Sequence, residues 1–133
     1  MAKRLKEKRV TPDFMITSPA TRALATCEVF AKVLDFKQDK IKKDQRLYHA
    51  DASQILMVIR EWKDHPRDDE EVGFLFGHNP GLTEFVNLLL NERIDNIPTC
   101  GIVKAHLHID RWNETCYGCG KLEFFDFPKS KED

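Results

Sequence analysis

Two short segments of the 133-residue sequence each join an apolar run to a sharp turn and the start of a predicted helix. The first is SPATR at 18–22, which follows FMIT, and the second is GHNPG at 77–81, which follows VGFLF. Helix N-termini offer free N–H groups and a partial positive charge, and ligands of open α/β sheets bind beyond the carboxyl ends of the strands. The pattern therefore predicts two positions at which an oxyanion such as phosphate could bind.

One candidate side chain stands in each segment. Arg22 falls in the first turn of its predicted helix, where a cation opposes the helix dipole. A bound oxyanion would explain an arginine at this position, because a guanidinium can bind two oxygens at once. The alternative is a surface arginine paired with a carboxylate. His78 ends a buried strand and could donate to a phosphoryl oxygen or transfer a proton. Its alternative is a strand-end histidine hydrogen-bonded to a backbone carbonyl.

Apolar periodicity and turn residues predict the elements that position these side chains. The first nine residues read as the end of a helix, residues 37–43 as a lysine-rich connection, and residues 63–71 as a charged surface loop. Strands are predicted at 14–18, 72–77, 103–109 and 122–127. Three helices are predicted: one opens at Ser18-Pro19 and runs to about Leu34, one begins after a cap at Asp51, and one runs from Asn79 to about Asn91. This alternation predicts a three-layer α/β/α sandwich with a mainly parallel sheet and an antiparallel final pair.

The pattern within each element predicts which side chains are buried. Strand 72–77 is apolar on both faces, which is typical of a strand covered by helices on both sides. The inward residues of the first long helix are predicted to be Leu24, Cys27, Ala31 and Leu34. In the helix that follows Asn79, Phe85, Leu88 and Leu89 are predicted to face inward.

Composition limits the classes of protein. A chain of 133 residues fits a single domain, with 41% hydrophobic and 32% charged residues. The net charge of −1 argues against nucleic acid as a partner, and no apolar stretch is long enough to cross a membrane. The basic start has no apolar core of a secretory signal, so we expect a cytoplasmic protein with reduced cysteines.

Cys116 and Cys119 have the spacing of a paired-thiol motif. His106 and His108, on one face of a predicted strand, could complete a zinc site with them. A redox pair and two ordinary turn cysteines are the other interpretations, so this motif alone supports a metal or redox protein only as an alternative.

The two oxyanion segments together closely resemble the histidine phosphatase superfamily, which is phosphoglycerate mutase-like in fold, and within it the SixA-type phosphohistidine phosphatases. SPATRALATCEVFA at 18–31 is followed by VGFLFGHNPGLTEFV at 72–86. The matching residues are Ser18, Pro19, Arg22, Ala23, Thr26, Gly77, His78, Asn79 and Pro80, with Arg22 and His78 56 positions apart. The resemblance extends from about Pro12 to Pro128 and includes the final hairpin.

The sequence departs from this family at its start. Members begin with a strand that ends in Arg-His-Gly/Ala, and that histidine is the nucleophile, whereas no Arg-His pair occurs in these 133 residues. The resemblance therefore implies that the first strand, its loop and part of the following helix are missing. We expect such a loss to expose apolar faces of Phe14–Thr17 and Val72–Phe76.

The resemblance implies a phosphatase that hydrolyses phosphohistidine or a small phosphomonoester through a phosphohistidine intermediate, without metal or cofactor. It assigns catalysis and phosphate binding to Arg22 and His78, and further substrate contacts to Ser18, Asn79 and Thr99. Asp44 and Asp51 are candidates for an acid that protonates the leaving group. A module that binds phosphate or a phosphoprotein without catalysis is the alternative function.

Overall fold

The computed structural model of the protein describes residues 1–64 and 70–128, which divide into two compact units. The first unit holds 1–48 and 70–78, and the second holds 49–64 and 79–128. Most of the predicted surface loop at 63–71 and the predicted polar tail after Pro128 lie outside the described residues. Within the described ranges, every helix is too short or too polar to cross a membrane.

The first unit is built on a three-stranded parallel sheet. In chain order its elements are α1 (Ala2–Glu7), β1 (Phe14–Thr17), α2 (Thr21–Val33), β2 (Lys42–Lys43) and β3 (Gly73–Phe76), with 3₁₀ turns at Gln38–Lys40 and Gln45–Leu47. Strand β1 lies between β2 and β3, and α2 packs against β1 and β3. A parallel pair needs a crossover connection, which α2 supplies between β1 and β2. The predicted mixed α/β fold with parallel strands is confirmed.

The core of the first unit lies between α2 and β1. Met15 and Thr17 of β1 and Cys27 and Ala31 of α2 are all fully buried. Leu34 is also buried, whereas Leu24 is half-buried. The inward helix face predicted from the periodicity is therefore confirmed for Cys27, Ala31 and Leu34, and in part for Leu24.

Strand β3 is less buried than its sequence predicts. Residues 73–76 are half-buried, because β3 is an edge strand that pairs with β1 and with no other strand of the described chain. The expected exposure of Val72–Phe76 is therefore seen in part. The same expectation is wrong for Met15–Thr17, which are buried because β1 pairs on both sides, with β2 and with β3.

The second unit combines two helices with an antiparallel hairpin. It contains α3 (Ala52–Arg60), α4 (Gly81–Leu90), β4 (Ile102–Leu107), a 3₁₀ turn at Trp112–Glu114, and β5 (Gly120–Asp126). Strands β4 and β5 pair antiparallel, and α4 packs against α3 and β5. The predicted antiparallel final pair is confirmed. So is the start of α3, where the Asp51 carboxylate accepts the Gln54 N–H and the Gln54 side chain accepts the Asp51 N–H.

One predicted inward residue of α4 is wrong. Phe85 and Leu89 are buried as predicted, but Leu88 is 43% exposed. The buried face of α4 instead includes Leu90, whereas Leu88 lies on the side of the helix that faces solvent.

Candidate functional site

The two predicted oxyanion segments meet at the carboxyl ends of strands β1 and β3, where Ser18 contacts His78. Strands β1 and β3 pair in parallel register, so their carboxyl ends are neighbours. The Ser18 N–H donates to the Phe76 carbonyl at 3.0 Å, which extends this pairing by one residue. Just beyond, Nε2 of His78 lies 2.9 Å from Oγ of Ser18. The placement of His78 next to the first segment thus follows from the strand register.

The Ser18 hydroxyl and one aromatic ring fix the orientation of the His78 imidazole. Ser18 is fully buried, and its Oγ also accepts the Ala20 N–H at 3.2 Å. The ring of Tyr48 meets the His78 ring edge to face, with centroids 5.8 Å apart. His78 is therefore held both at Nε2 and by an aromatic contact with Tyr48. No spacing in the sequence indicated the contact from Tyr48, which adjoins the turn at Gln45–Leu47.

Arg22 is exposed in the first turn of α2, as predicted. Across residues 1–64 and 70–128 its side chain makes no hydrogen bond or ion pair. The N-cap of α2 is Ala20, which supplies no side-chain acceptor to the N–H groups of the first turn. Arg22 therefore belongs to a helix start whose amide donors are uncapped, and an anion bound there can accept hydrogen bonds from the amides and from the guanidinium.

Two further cations lie on the neighbouring strand. Lys42 and Lys43 form β2 and are exposed, and Lys43 is the register partner of Thr17, the residue before Ser18. Neither lysine makes an ion pair within the described ranges. The sequence predicts a connection here instead of a strand, because lysine has low strand propensity and two residues show no alternation. The two ammonium groups add positive potential close to the carboxyl end of β1.

Neither carboxylic acid proposed from the sequence is suited to donating a proton. The guanidinium of Arg46 binds the Asp44 carboxylate at 2.8 and 3.0 Å, and this hydrogen bonding lowers the Asp44 pKa. The backbone N–H of Gln54 and the hydroxyl of Ser53 lower the pKa of Asp51 in the same way. A general acid needs a raised pKa near the working pH. The described residues thus give both aspartates structural partners instead.

Asn79, in the second unit, uses its side chain to anchor a loop. Its Oδ1 accepts from the N–H and the hydroxyl of Thr83, at 3.2 and 2.7 Å. Its Nδ2 donates to the Ile97 carbonyl at 2.7 Å and to Asn96 at 3.3 Å. Thr99 is exposed in the turn before β4. The structure therefore explains Asn79 by hydrogen bonds to Thr83, Asn96 and Ile97, which no spacing in the sequence indicates.

Gly81 of the second segment is required by close packing within the second unit. A Cβ at Gly81 would collide with the backbone carbonyl of Ala50. Because the obstruction is backbone and not a flexible side chain, the start of α4 can approach the 50–51 segment only with glycine at this position.

The zinc alternative does not assemble in the part of the chain that the structure describes. His106 and His108 do lie side by side, with ring centroids 4.9 Å apart. Yet no group of three or more histidine, cysteine or acidic side chains in these residues is placed to hold a metal ion. A structural zinc site normally needs four such ligands.

No family model matches the chain, and no curated protein matches it in sequence. Solved structures do match. A protein histidine phosphatase SixA complexed with tungstate superposes with a TM-score of 0.71 at 18% identity, covering 93% of this chain and 74% of that one. The crystal structure of the putative phosphohistidine phosphatase SixA from Agrobacterium tumefaciens gives a TM-score of 0.66 at 19% identity, with coverages of 96% and 75%. A phosphoglycerate mutase from Plasmodium falciparum gives 0.53 at 19% identity, with coverages of 70% and 58%.

The chain has the fold of the SixA and phosphoglycerate mutase-like proteins. The fold expected from the SPATR and GHNPG segments is thus confirmed by structures that share under a fifth of its residues. At such identities the comparison shows the fold alone, whereas the chemistry depends on the residues of the site.

Proposed function

We propose that this chain is a histidine phosphatase-type domain whose phosphate site is formed by Arg22 and His78. The observation that carries the proposal is the contact between Ser18 and His78 at the carboxyl ends of adjacent parallel strands, beside an uncapped helix start that carries an arginine. The tungstate named with one SixA neighbour is a tetrahedral oxyanion like phosphate, which supports the same class of ligand. The proposed domain extends over the whole chain and works in the cytoplasm.

The proposed reaction is hydrolysis of phosphohistidine or a small phosphomonoester in two steps. A nucleophilic histidine attacks phosphorus, the leaving group departs, and water then releases phosphate from the phosphohistidine enzyme. Arg22 and His78 neutralise charge on the oxygens that do not react, which is the main task in phosphoryl transfer. With Asp44 and Asp51 held as stabilised carboxylates, an imidazole leaving group suits the site better than an alkoxide, since it needs a weaker acid.

The nucleophile is the part of this reaction that the sequence does not supply in the family's form. No Arg-His pair occurs in the 133 residues. We propose that turnover requires a longer version of the chain that carries this pair on an additional strand. The alternative, a module that binds phosphate or a phosphoprotein without catalysis, is favoured for these 133 residues alone, because positioning and charge need no nucleophile.

The test measures turnover and binding side by side. The chain is assayed on a phosphohistidine peptide beside a version extended upstream in its reading frame, and vanadate binding is measured by calorimetry for both. Turnover by the extended version alone supports the phosphatase. Vanadate binding by both without turnover supports the non-catalytic module. Turnover by the 133 residues would assign the nucleophile to another residue, His78 first, and absence of both activities would overturn the site.

A control separates the nucleophile from the binding site. In the extended version, replacement of the added histidine by asparagine should abolish turnover and leave vanadate binding within about twofold, since Arg22 and His78 are untouched. Loss of vanadate binding in that variant would mean that the added strand, and not Arg22 and His78, forms the phosphate site.

A further inference from the structure

The turn that leads into β5 brings two cysteines together in the second unit. Residues 116–119 (CYGC) form a turn in which the Cys119 N–H donates to the Cys116 carbonyl at 3.3 Å. Gly118 has a φ of 83°, the value expected at the third position of a type II turn. A β-turn brings its first and last Cα atoms within about 7 Å, and a disulfide spans about 4.4–6.8 Å between Cα atoms.

The Cys119 sulfur is also directed toward the first residue of the turn. The Cys116 N–H donates to Sγ of Cys119 at 3.2 Å, so the second sulfur lies next to the first residue of the turn. Burial raises the pKa of the Cys119 thiol, and the neighbouring Cys116 side chain raises it further. Cys116 is exposed, whereas Cys119 is partly buried.

The turn is held in place from outside. The Gly118 N–H donates to the carbonyls of Leu88 and Leu89, at 2.9 and 3.1 Å, at the end of α4. On the other side, Thr115 is fully buried and its hydroxyl donates to the Trp112 carbonyl at 2.7 Å. The two cysteines are therefore kept in proximity by the fold and need not find each other by diffusion.

We propose that Cys116 and Cys119 form a redox modification site, which a small disulfide such as glutathione disulfide oxidises to an intramolecular disulfide. Cys116 loses its proton to water, and its thiolate attacks one sulfur of the oxidant, forming a mixed disulfide and releasing one reduced thiol. The Cys119 thiol then loses its proton, and its sulfur attacks the Cys116 sulfur, closing the protein disulfide and releasing the second reduced thiol. Two electrons pass from the protein to the oxidant.

The remaining cysteines act as internal controls. Cys100 is exposed in the turn before β4, so it reports whether the oxidant reacts with an accessible thiol. Cys27 is fully buried in α2, and burial raises its pKa to about 12, so it should stay reduced. Neither control residue belongs to the proposed phosphate site.

The experiment incubates the folded chain with mixtures of oxidised and reduced glutathione, followed by acid quenching, alkylation and peptide mass mapping. We expect a Cys116–Cys119 disulfide, which lacks two hydrogen atoms, at oxidised-to-reduced ratios at least about tenfold below those that modify Cys100. Cys119→Ser should stop the reaction with one glutathione on Cys116. Modification of Cys100 while Cys116 and Cys119 stay reduced would overturn the proposal, as would a lasting mixed disulfide on Cys116 in the unmutated chain.

A third variant tests the turn itself. Gly118→Ala keeps both cysteines but strains the positive φ at Gly118, so the ratio needed for half oxidation should rise several-fold. If Gly118→Ala oxidises as readily as the unmutated chain, the spacing alone explains the reaction and the folded turn has no part in it.

Discussion

The hydroxyl oxygen of Ser18 lies 2.9 Å from Nε2 of His78, although 60 positions separate the two residues in the sequence. The same oxygen accepts the Ala20 N–H, so one buried atom links the end of β1, the start of α2 and the histidine after β3. Ser18 is therefore placed to orient His78, while Arg22 faces solvent and is open to an anion.

We expect Ser18→Ala to lower the free energy of unfolding by about 1–3 kcal/mol, because it removes the oxygen that both Ala20 and His78 contact. Vanadate affinity should fall about tenfold as the His78 ring loses its fixed orientation. Urea denaturation and calorimetry measure the two effects. Ser53→Ala, which removes an exposed hydroxyl bonded to Asp51 in the second unit, is the control for the vanadate affinity. Full vanadate affinity in Ser18→Ala would show that packing alone orients His78.

Arg22→Ala should weaken vanadate or phosphate binding by about 2–3 kcal/mol, since it removes charge-assisted hydrogen bonds to the anion. Stability should change little, because Arg22 has no partner among the described residues. Titration calorimetry measures the affinity, with Arg93→Ala, an exposed arginine of the second unit, as control. An unchanged affinity would remove Arg22 from the site. His78→Ala should weaken binding to a similar extent.

Asn79→Ala should destabilise the protein by about 1–3 kcal/mol, because it removes the acceptor of the Thr83 hydroxyl and the donor to the Ile97 carbonyl. Chemical denaturation measures this, and Asn113→Ala on an exposed turn is the control. A variant that kept full stability but lost vanadate binding would instead assign Asn79 to the ligand, as the family resemblance implies.

The pKa of Asp44 is lowered from 3.8, chiefly by hydrogen bonds from the Arg46 side chain. A depressed folded-state pKa contributes stability above pH 3.8, and this contribution is lost as the pH falls through the folded value. Asp44→Asn should therefore be less stable than the unmutated chain at pH 7, by up to about 1 kcal/mol, because the arginine of the pair is exposed to solvent. Denaturation at several pH values should show the difference shrinking below pH 3.8. A difference that stays constant would mean that the carboxylate charge is not its cause.

Much of the site could be predicted because it depends on local pattern. The SPATR and GHNPG segments each follow an apolar strand, and the alternation of strands and helices predicts that those strands are parallel. Three features could not be predicted. Strand β2 has two lysines and no periodicity, the hydrogen bonds of Asn79 reach residues up to 18 positions away, and the exposure of Leu88 depends on which neighbours α4 meets. Each depends on tertiary packing that a local window does not contain.

The edge position of β3 has a consequence for hydrogen exchange. The Phe76 carbonyl accepts the Ser18 N–H, so Phe76 directs its backbone groups toward β1. Successive residues of a strand alternate in direction, which turns the N–H of Leu75 to the opposite edge, where no strand of the described chain pairs with it. In deuterated water the amide of Leu75 should therefore exchange much faster than that of Phe76. In the longer version proposed above, a strand added at this edge would slow Leu75 to the rate of its neighbour, so a single amide can report whether the sheet has been extended.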